Sequence, residues 1–178
     1  MKTNIFITGD RQHGKSTLVL DILAGICVDY DGFMTKPDKK YKIGTTYIME
    51  DIITKETTPI SKYDNGLIKG IPAAFSNLGI RCLDMCIHSS SKLVIMDELG
   101  RFEKHNWDFI ERVITLLESN KIVIAVLKAE PIEYLDKIKA RKDCIIYDLN
   151  QISYQKAYED IISKLKILFQ GEDSNEIN

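Results

Sequence analysis

Apolar and polar positions follow two rhythms along the 178-residue chain, and the switches between them mark alternating strands and helices. Thr3 to Thr8, Lys92 to Met96, Ile122 to Leu127 and Cys144 to Tyr147 are short apolar runs that read as strands. The third is nearly unbroken, as expected of a central strand in a parallel sheet covered on both faces. Helical spacing occupies Lys15 to Cys27, a segment from Pro72 to about His88, another from Pro131 to about Arg141, and Ser153 through Phe169. Pro72 suits the first turn of its helix, and Ser153 caps the last one. Asn106 caps a further helix with Trp107, Ile110, Val113, Ile114 and Leu117 on its inner side.

Gly32 to Thr35 starts a second strand, and Met34 to Tyr47 has the look of a hairpin. Pro37-Asp38-Lys39-Lys40 has turn chemistry, and Lys42 to Ile48 is expected to return antiparallel. Asn65-Gly66 marks another turn. The prediction is an α/β fold of three layers around a mostly parallel central sheet with a β-hairpin insertion. One domain spans 1–170, and 171–178 form a frayed polar tail.

Composition narrows the function classes. A hydrophobic content of 44% supports one substantial core. A net charge of −2 gives no electrostatic reason to expect nucleic acid or an anionic membrane as partner. No apolar run reaches membrane-spanning length and the N-terminus lacks the apolar stretch of a signal peptide, so a cytoplasmic protein is expected. Among the four cysteines, Cys82 and Cys86 with His88 approach a loose zinc spacing. They also recur at helical spacing with Phe75, Leu78, Leu83 and Ile87, which makes both cysteines small buried hydrophobes on an apolar stripe. That plainer reading is preferred, and no metal cluster is expected there.

The candidate chemistry begins at Gly9-Asp10-Arg11-Gln12-His13-Gly14-Lys15-Ser16, a full match to G-x-x-x-x-G-K-[ST] placed between a strand and a helix. Glycines let successive backbone N–H groups turn inward on phosphate oxygens, and the following helix adds the positive end of its dipole. Lys15 is expected on the β- and γ-phosphates and Ser16 on Mg²⁺, with Thr17 opening the helix wall. His13 reads as a spacer. The second half of such a site is a strand beside the loop that ends on an acid, and Leu93-Val94-Ile95-Met96-Asp97-Glu98 fits: Asp97 for Mg²⁺, Glu98 as the base that takes a proton from an attacking water. An apolar run ending in two acids is weak evidence alone and becomes informative beside the loop.

The cation that neutralises the transition state is open. Arg11 lies in the loop, and Arg101 and Arg141 are level candidates, each of which is more often a solvated surface arginine. Tyr30, Phe33 and Tyr41 are candidates for stacking on a base, although aromatic residues on strands belong to the core by default.

Gly9 to Thr17, Gly32-Phe33-Met34-Thr35 and Ile95 to Glu103 together resemble, in order and spacing, the three signature blocks of the small P-loop nucleoside-triphosphatases, the cancer-related nucleoside-triphosphatases and their thermophile homologues. Ile122 to Lys128 resembles the family strand that follows, so the likeness covers roughly residues 3 to 150. The resemblance implies a RecA-like sheet and slow Mg²⁺-dependent hydrolysis of several nucleoside triphosphates, ATP and GTP among them. Two blocks depart from the family. Lys36-Pro37-Asp38-Lys39 stands where the family has an acid and an arginine, with Gly44-Thr45 for the later Gly-Phe, and Asn150 is followed by Gln151 in place of arginine. Roles tied to those arginines are not carried over. Two other outputs of a phosphate loop compete: a nucleotide or small-molecule kinase, for which the arginine-free segment Glu50 to Gly70 supplies no obvious lid, and a nucleotide-dependent switch or accessory protein.

Overall fold

The apolar runs become strands because each has two helix layers to fill, one for its odd positions and one for its even ones. In the computed structural model, which describes residues 3–38 and 46–173 and side chains as far as Phe169, nine strands are formed. They are β1 (Asn4–Thr8), β2 (Tyr30–Pro37), β3 (Tyr47–Asp51), β4 (Thr57–Pro59), β5 (Ser61–Asp64), β6 (Leu67–Gly70), β7 (Leu93–Leu99), β8 (Ile122–Leu127) and β9 (Cys144–Asp148). The helices are α1 (Lys15–Ala24), α2 (Pro72–Ala74), α3 (Ile80–His88), α4 (Trp107–Glu118), α5 (Glu133–Lys139) and α6 (Tyr154–Asp173). A π-helical turn, Phe75–Gly79, joins α2 to α3.

A seven-stranded sheet runs in the order β4-β3-β2-β7-β8-β1-β9. From β2 to β9 every pairing is parallel, while β3 and β4 extend the β2 edge in antiparallel fashion. The pleat separates two cores. Phe6, Val94, Met96, Val123 and Ala125 face one layer with side chains of α3, α4 and α5. Ile5, Ile7, Ile95, Ile124 and Val126 face the other with α1 and α6. This is the three-layer architecture the pattern predicts, and β5 and β6 add a separate hairpin. Asn65 (φ 50°) and Gly66 (φ 82°) close that hairpin, both in the left-handed region a two-residue turn requires.

Several boundaries differ from expectation. α1 stops at Ala24, where Gly25 caps it, rather than at Cys27. α5 begins two residues after Pro131 and ends at Lys139. β7 continues past Met96 to Leu99, carrying both acids inside the strand. Trp107 is 63% exposed, because the face of α4 that packs is set by Phe109, Ile110, Val113, Leu116 and Leu117. Asn106 does cap that helix, its side chain accepting from Phe109 N at 3.1 Å. The hairpin from β2 to β3 forms with Pro37 opposite Tyr47, so the return strand starts at Tyr47 among the described residues; the expected turn at Lys39-Lys40, the strand start at Lys42, and Tyr41 lie outside them. α6 carries the helix through Asp173, past the expected start of the tail at Gly171, and 174–178 lie outside the described residues.

Cys82 and Cys86 are buried in the core, with Cys82 Sγ 3.2 Å from Gly32 O. Phe33 is buried against Phe109, which leaves it unavailable to a base, and Tyr30 is partly buried against the opposite core. Among the described residues no helix is long and apolar enough to cross a membrane.

Candidate active site

Parallel strands bring their C-terminal ends to one edge of the sheet, and the residues that follow them line a common cleft. β1 delivers the phosphate loop. Gly9, Gln12 and Gly14 have φ of 134°, 66° and 78°, which curls the loop back on itself before α1 starts at Lys15. The loop is also held from the neighbouring strand end: Asp10 N donates to Asn150 Oδ1 at 3.1 Å, and Asn150 Nδ2 to Asp10 Oδ1 at 3.3 Å. Asn150 thus acts as a tether for the loop.

Lys15 is only 8% exposed and is not solvated. Its Nζ donates to Gly9 O at 2.8 Å and Asp10 O at 2.7 Å, occupying the hollow of the loop. Burial lowers its pKa, partly offset by Glu98 and Asp97. Ser16, one residue on, donates from Oγ to Asp97 Oδ1 at 3.1 Å. This contact spans β8, which lies between β1 and β7; the acid therefore comes from the next strand but one, not from a strand directly beside the loop. Asp97 is fully buried, and burial pushes its pKa up to about 7 against the opposing bond from Ser16. Its Oδ2 is buried without a hydrogen-bond partner. A hard, buried carboxylate oxygen left unpartnered beside a serine hydroxyl fits a Mg²⁺ ion.

Glu98 points to the other side of the cleft, its N donating to Thr35 Oγ1 at 3.1 Å. That contact follows from register, since β2 and β7 pair with Met34 opposite Asp97 and so place Thr35 beside Glu98. The Glu98 carboxylate is 3.0 Å from Lys128 Nζ. Lys128 is the cleft residue that reading the sequence does not single out. It directly follows β8, and its N donates to Leu99 O at 3.0 Å. Its stem crosses Gly100 so closely that a Cβ there would stand 2.7 Å from Lys128 Cγ. The available signals were the lysine one residue beyond the central strand and the glycine two residues beyond Glu98.

Asp97, Ser16, Lys15, Glu98 and Lys128 line one cleft of about 600 Å³, with Gly14 and Thr17 at its loop side. The remaining cations are distributed unevenly. Arg11 donates to Tyr47 Oη at 3.0 Å across the cleft mouth. Arg101 lies 3.4 Å from Glu130, with its guanidinium 5.3 Å from the centre of the Phe102 ring, on the rim of an adjoining chamber. Arg141 is placed wrongly for the chemistry. It pairs with Asp143 at 2.8 Å and Glu118 at 3.5 Å, just before β9 and hence at the opposite end of the parallel strands from the loop. The length of a strand separates it from the phosphate loop, so of the two level candidates for the transition-state cation Arg141 is removed. His13 is exposed and contributes its backbone N to Asp10 O at 3.4 Å.

A family model described as NTPase matches residues 4–162. The chain is 30% identical over 168 residues to nucleoside-triphosphatase THEP1 of Thermotoga maritima, covering 91% of this chain and 95% of that protein. It is 30% identical over 171 residues to the Methanocaldococcus jannaschii protein of the same name, covering 90% and 96%. It is 24% identical over 186 residues to the cancer-related nucleoside-triphosphatase of Homo sapiens, covering 92% and 96%. The crystal structure of THEP1 from Aquifex aeolicus superposes with a TM-score of 0.76 at 22% identity, over 92% of this chain and 99% of that one, a likeness of fold.

Proposed function

Because the chain belongs to this nucleoside-triphosphatase family, we propose that it hydrolyses nucleoside triphosphates to the diphosphate and phosphate, slowly, with Mg²⁺ and with broad tolerance of the base. The observation that carries this reading is the convergence of Lys15, the Ser16–Asp97 pair and the Glu98–Lys128 pair on a single cleft at one end of the sheet.

The chain's own groups divide the work. An arriving triphosphate takes the loop's backbone N–H groups, and Lys15 exchanges its two loop carbonyls for β- and γ-phosphate oxygens, which return the charge that burial disfavours. Ser16 and Asp97 are the residues that would hold Mg²⁺, which when bound neutralises phosphate charge. Glu98 accepts the proton of a water in line with the γ-phosphorus as the bond to the bridging oxygen breaks. Lys128, paired with Glu98 in the same cleft, takes the place of Arg141 as a candidate for neutralising the transition state.

Asp97→Asn and Glu98→Gln test the division by parallel assays of phosphate release and nucleotide binding. Glu98→Gln is expected to bind MgATP normally and to lose kcat by about 10²–10⁴-fold, since an amide keeps the shape but accepts no proton. Asp97→Asn is expected to raise the Mg²⁺ concentration required. Normal turnover in Glu98→Gln refutes the assignment of the base.

A further inference from the structure

A second chamber of about 250 Å³ adjoins the phosphate cleft: Arg11, Lys15, Thr35, Tyr47, Glu98 and Lys128 line both, while Ser16 and Asp97 line the cleft alone. The geometry points to an acceptor site: we propose that this chamber binds a small neutral alcohol built on a flat ring, of nucleoside size or smaller, whose hydroxyl competes with water for the γ-phosphoryl group. The proposal rests on the reading of Glu98 as the base facing the γ-phosphate.

Size is the first argument. A water's share of liquid volume is about 30 Å³, so an attacking water by itself fills a small part of the chamber. A volume of about 250 Å³ lies just under the range of roughly 300–1,000 Å³ that takes drug-sized ligands, which limits the occupant to a ring system with a short arm.

Wall chemistry is the second. Tyr47, Ile60, Ile68 and Phe102 form an apolar and aromatic side, with the Tyr47 and Phe102 rings 6.4 Å apart and tilted by 43°, a surface suited to a flat ring. Four basic and four acidic side chains line the rest. Lys128 is paired with Glu98, and Arg101 is shared between Glu130 and the Phe102 ring, so neither cation is left unpaired for an anion. Ile60 and Ile68, the latter from the β5–β6 hairpin, both belong to the arginine-free segment, which therefore supplies part of the chamber wall.

Position is the third. Glu98 borders both spaces, and so does Thr35, which accepts from the Glu98 backbone N. An alcohol on the chamber side presents its O–H to the same carboxylate that a water would use. The step balances: the hydroxyl proton passes to Glu98, the alcohol oxygen bonds to the γ-phosphorus, and the bond from that phosphorus to the β–γ bridging oxygen breaks. The products are the nucleoside diphosphate and the phosphate monoester of the alcohol.

Diphosphate and free phosphate are to be measured separately during turnover of MgATP, alone and with cytidine, uridine, adenosine or 3-hydroxymethylpyridine, using γ-labelled ATP to detect the ester. With at least one of these, diphosphate is expected to exceed phosphate and label to appear on the alcohol. Ile68→Trp, which fills the chamber from the hairpin, is expected to lower the ratio of ester to phosphate by roughly tenfold, about the effect of 1.4 kcal/mol of lost binding. Equal diphosphate and phosphate with every probe overturns the proposal, as does a ratio unmoved by Ile68→Trp. If Glu98→Gln leaves acceptor-free phosphate release intact, the reading of the base fails instead, and the two failures are told apart.

Discussion

Glu98 is held by one neighbour on each side: Thr35 fixes its backbone and Lys128 its carboxylate. Removing the lysine charge with Lys128→Met is expected to lower kcat by about 10²–10³-fold, the usual cost of losing one donor aimed at developing negative charge, with little change in nucleotide affinity. Gly100→Ala tests the same arrangement from beneath. The added Cβ meets Lys128 Cγ at 2.7 Å, and a flexible lysine yields more easily than the strand. The lysine is therefore expected to leave Glu98, so Gly100→Ala should lose kcat in the same direction while its Tm falls little. An unchanged kcat in Gly100→Ala would show that Lys128 holds its place without the glycine.

Glu103, in the same loop, gives a pH prediction. It is buried and accepts from Gly100 N and Tyr134 Oη. Burial raises its pKa above the ordinary 4.5, outweighing those donors. A raised folded-state pKa means that folding favours the protonated acid. The contribution is complete below the unfolded value and is lost as pH rises through the folded one. The stability of the parent protein is thus expected to fall relative to Glu103→Gln as pH is raised from 4.5, and to run parallel below it. Thermal melts of both across that range decide it, and parallel curves throughout contradict the shift.

At the level of elements, the segment from Pro72 to His88 shows how far periodicity reaches. Its apolar stripe of Phe75, Leu78, Cys82, Leu83 and Cys86 is buried as the spacing requires. The π-helical turn within it is invisible to a 3.6-residue pattern, because one widened turn shifts the phase without removing the stripe. Gly79 abuts the Phe109 ring there, with a Cβ position 2.9 Å from Cε2, and the ring also packs edge-on to Phe75 at 5.3 Å and against Phe33 at 6.0 Å. Phe109 therefore packs α4 against the π-helical turn and β2. Phe109→Ala should cost about 3–5 kcal/mol in denaturant unfolding, far more than Trp107→Ala, which removes an exposed ring. Comparable losses would show that the exposed face of α4 is packed after all. The bounds of β8 and the Asn65-Gly66 turn were legible for the complementary reason: an apolar run and left-handed turn chemistry are local.

Across the whole molecule, the sheet order explains the breadth proposed for the substrate. The contacts named for the triphosphate come from strand ends that face phosphate and metal, which every nucleoside triphosphate shares. A neutral hydrogen bond to a base contributes about 0.5–1.5 kcal/mol, or up to roughly tenfold. Comparison of kcat/KM for ATP, GTP, CTP and UTP at saturating Mg²⁺ is expected to stay within that range, and a far larger preference would reveal a dedicated base pocket.

The sequence by itself determined the α/β class, the phosphate loop with Lys15 and Ser16, and the pair of acids at Asp97 and Glu98, because each is a pattern of neighbours whose chemistry acts locally. Only the tertiary structure decided that β8 passes between β1 and β7, that Arg141 lies at the far end of the sheet, and that Lys128 meets Glu98 across Gly100. Those are distances between segments far apart in the chain, set by strand order and by which end of a parallel strand a residue follows, and no local spacing encodes them.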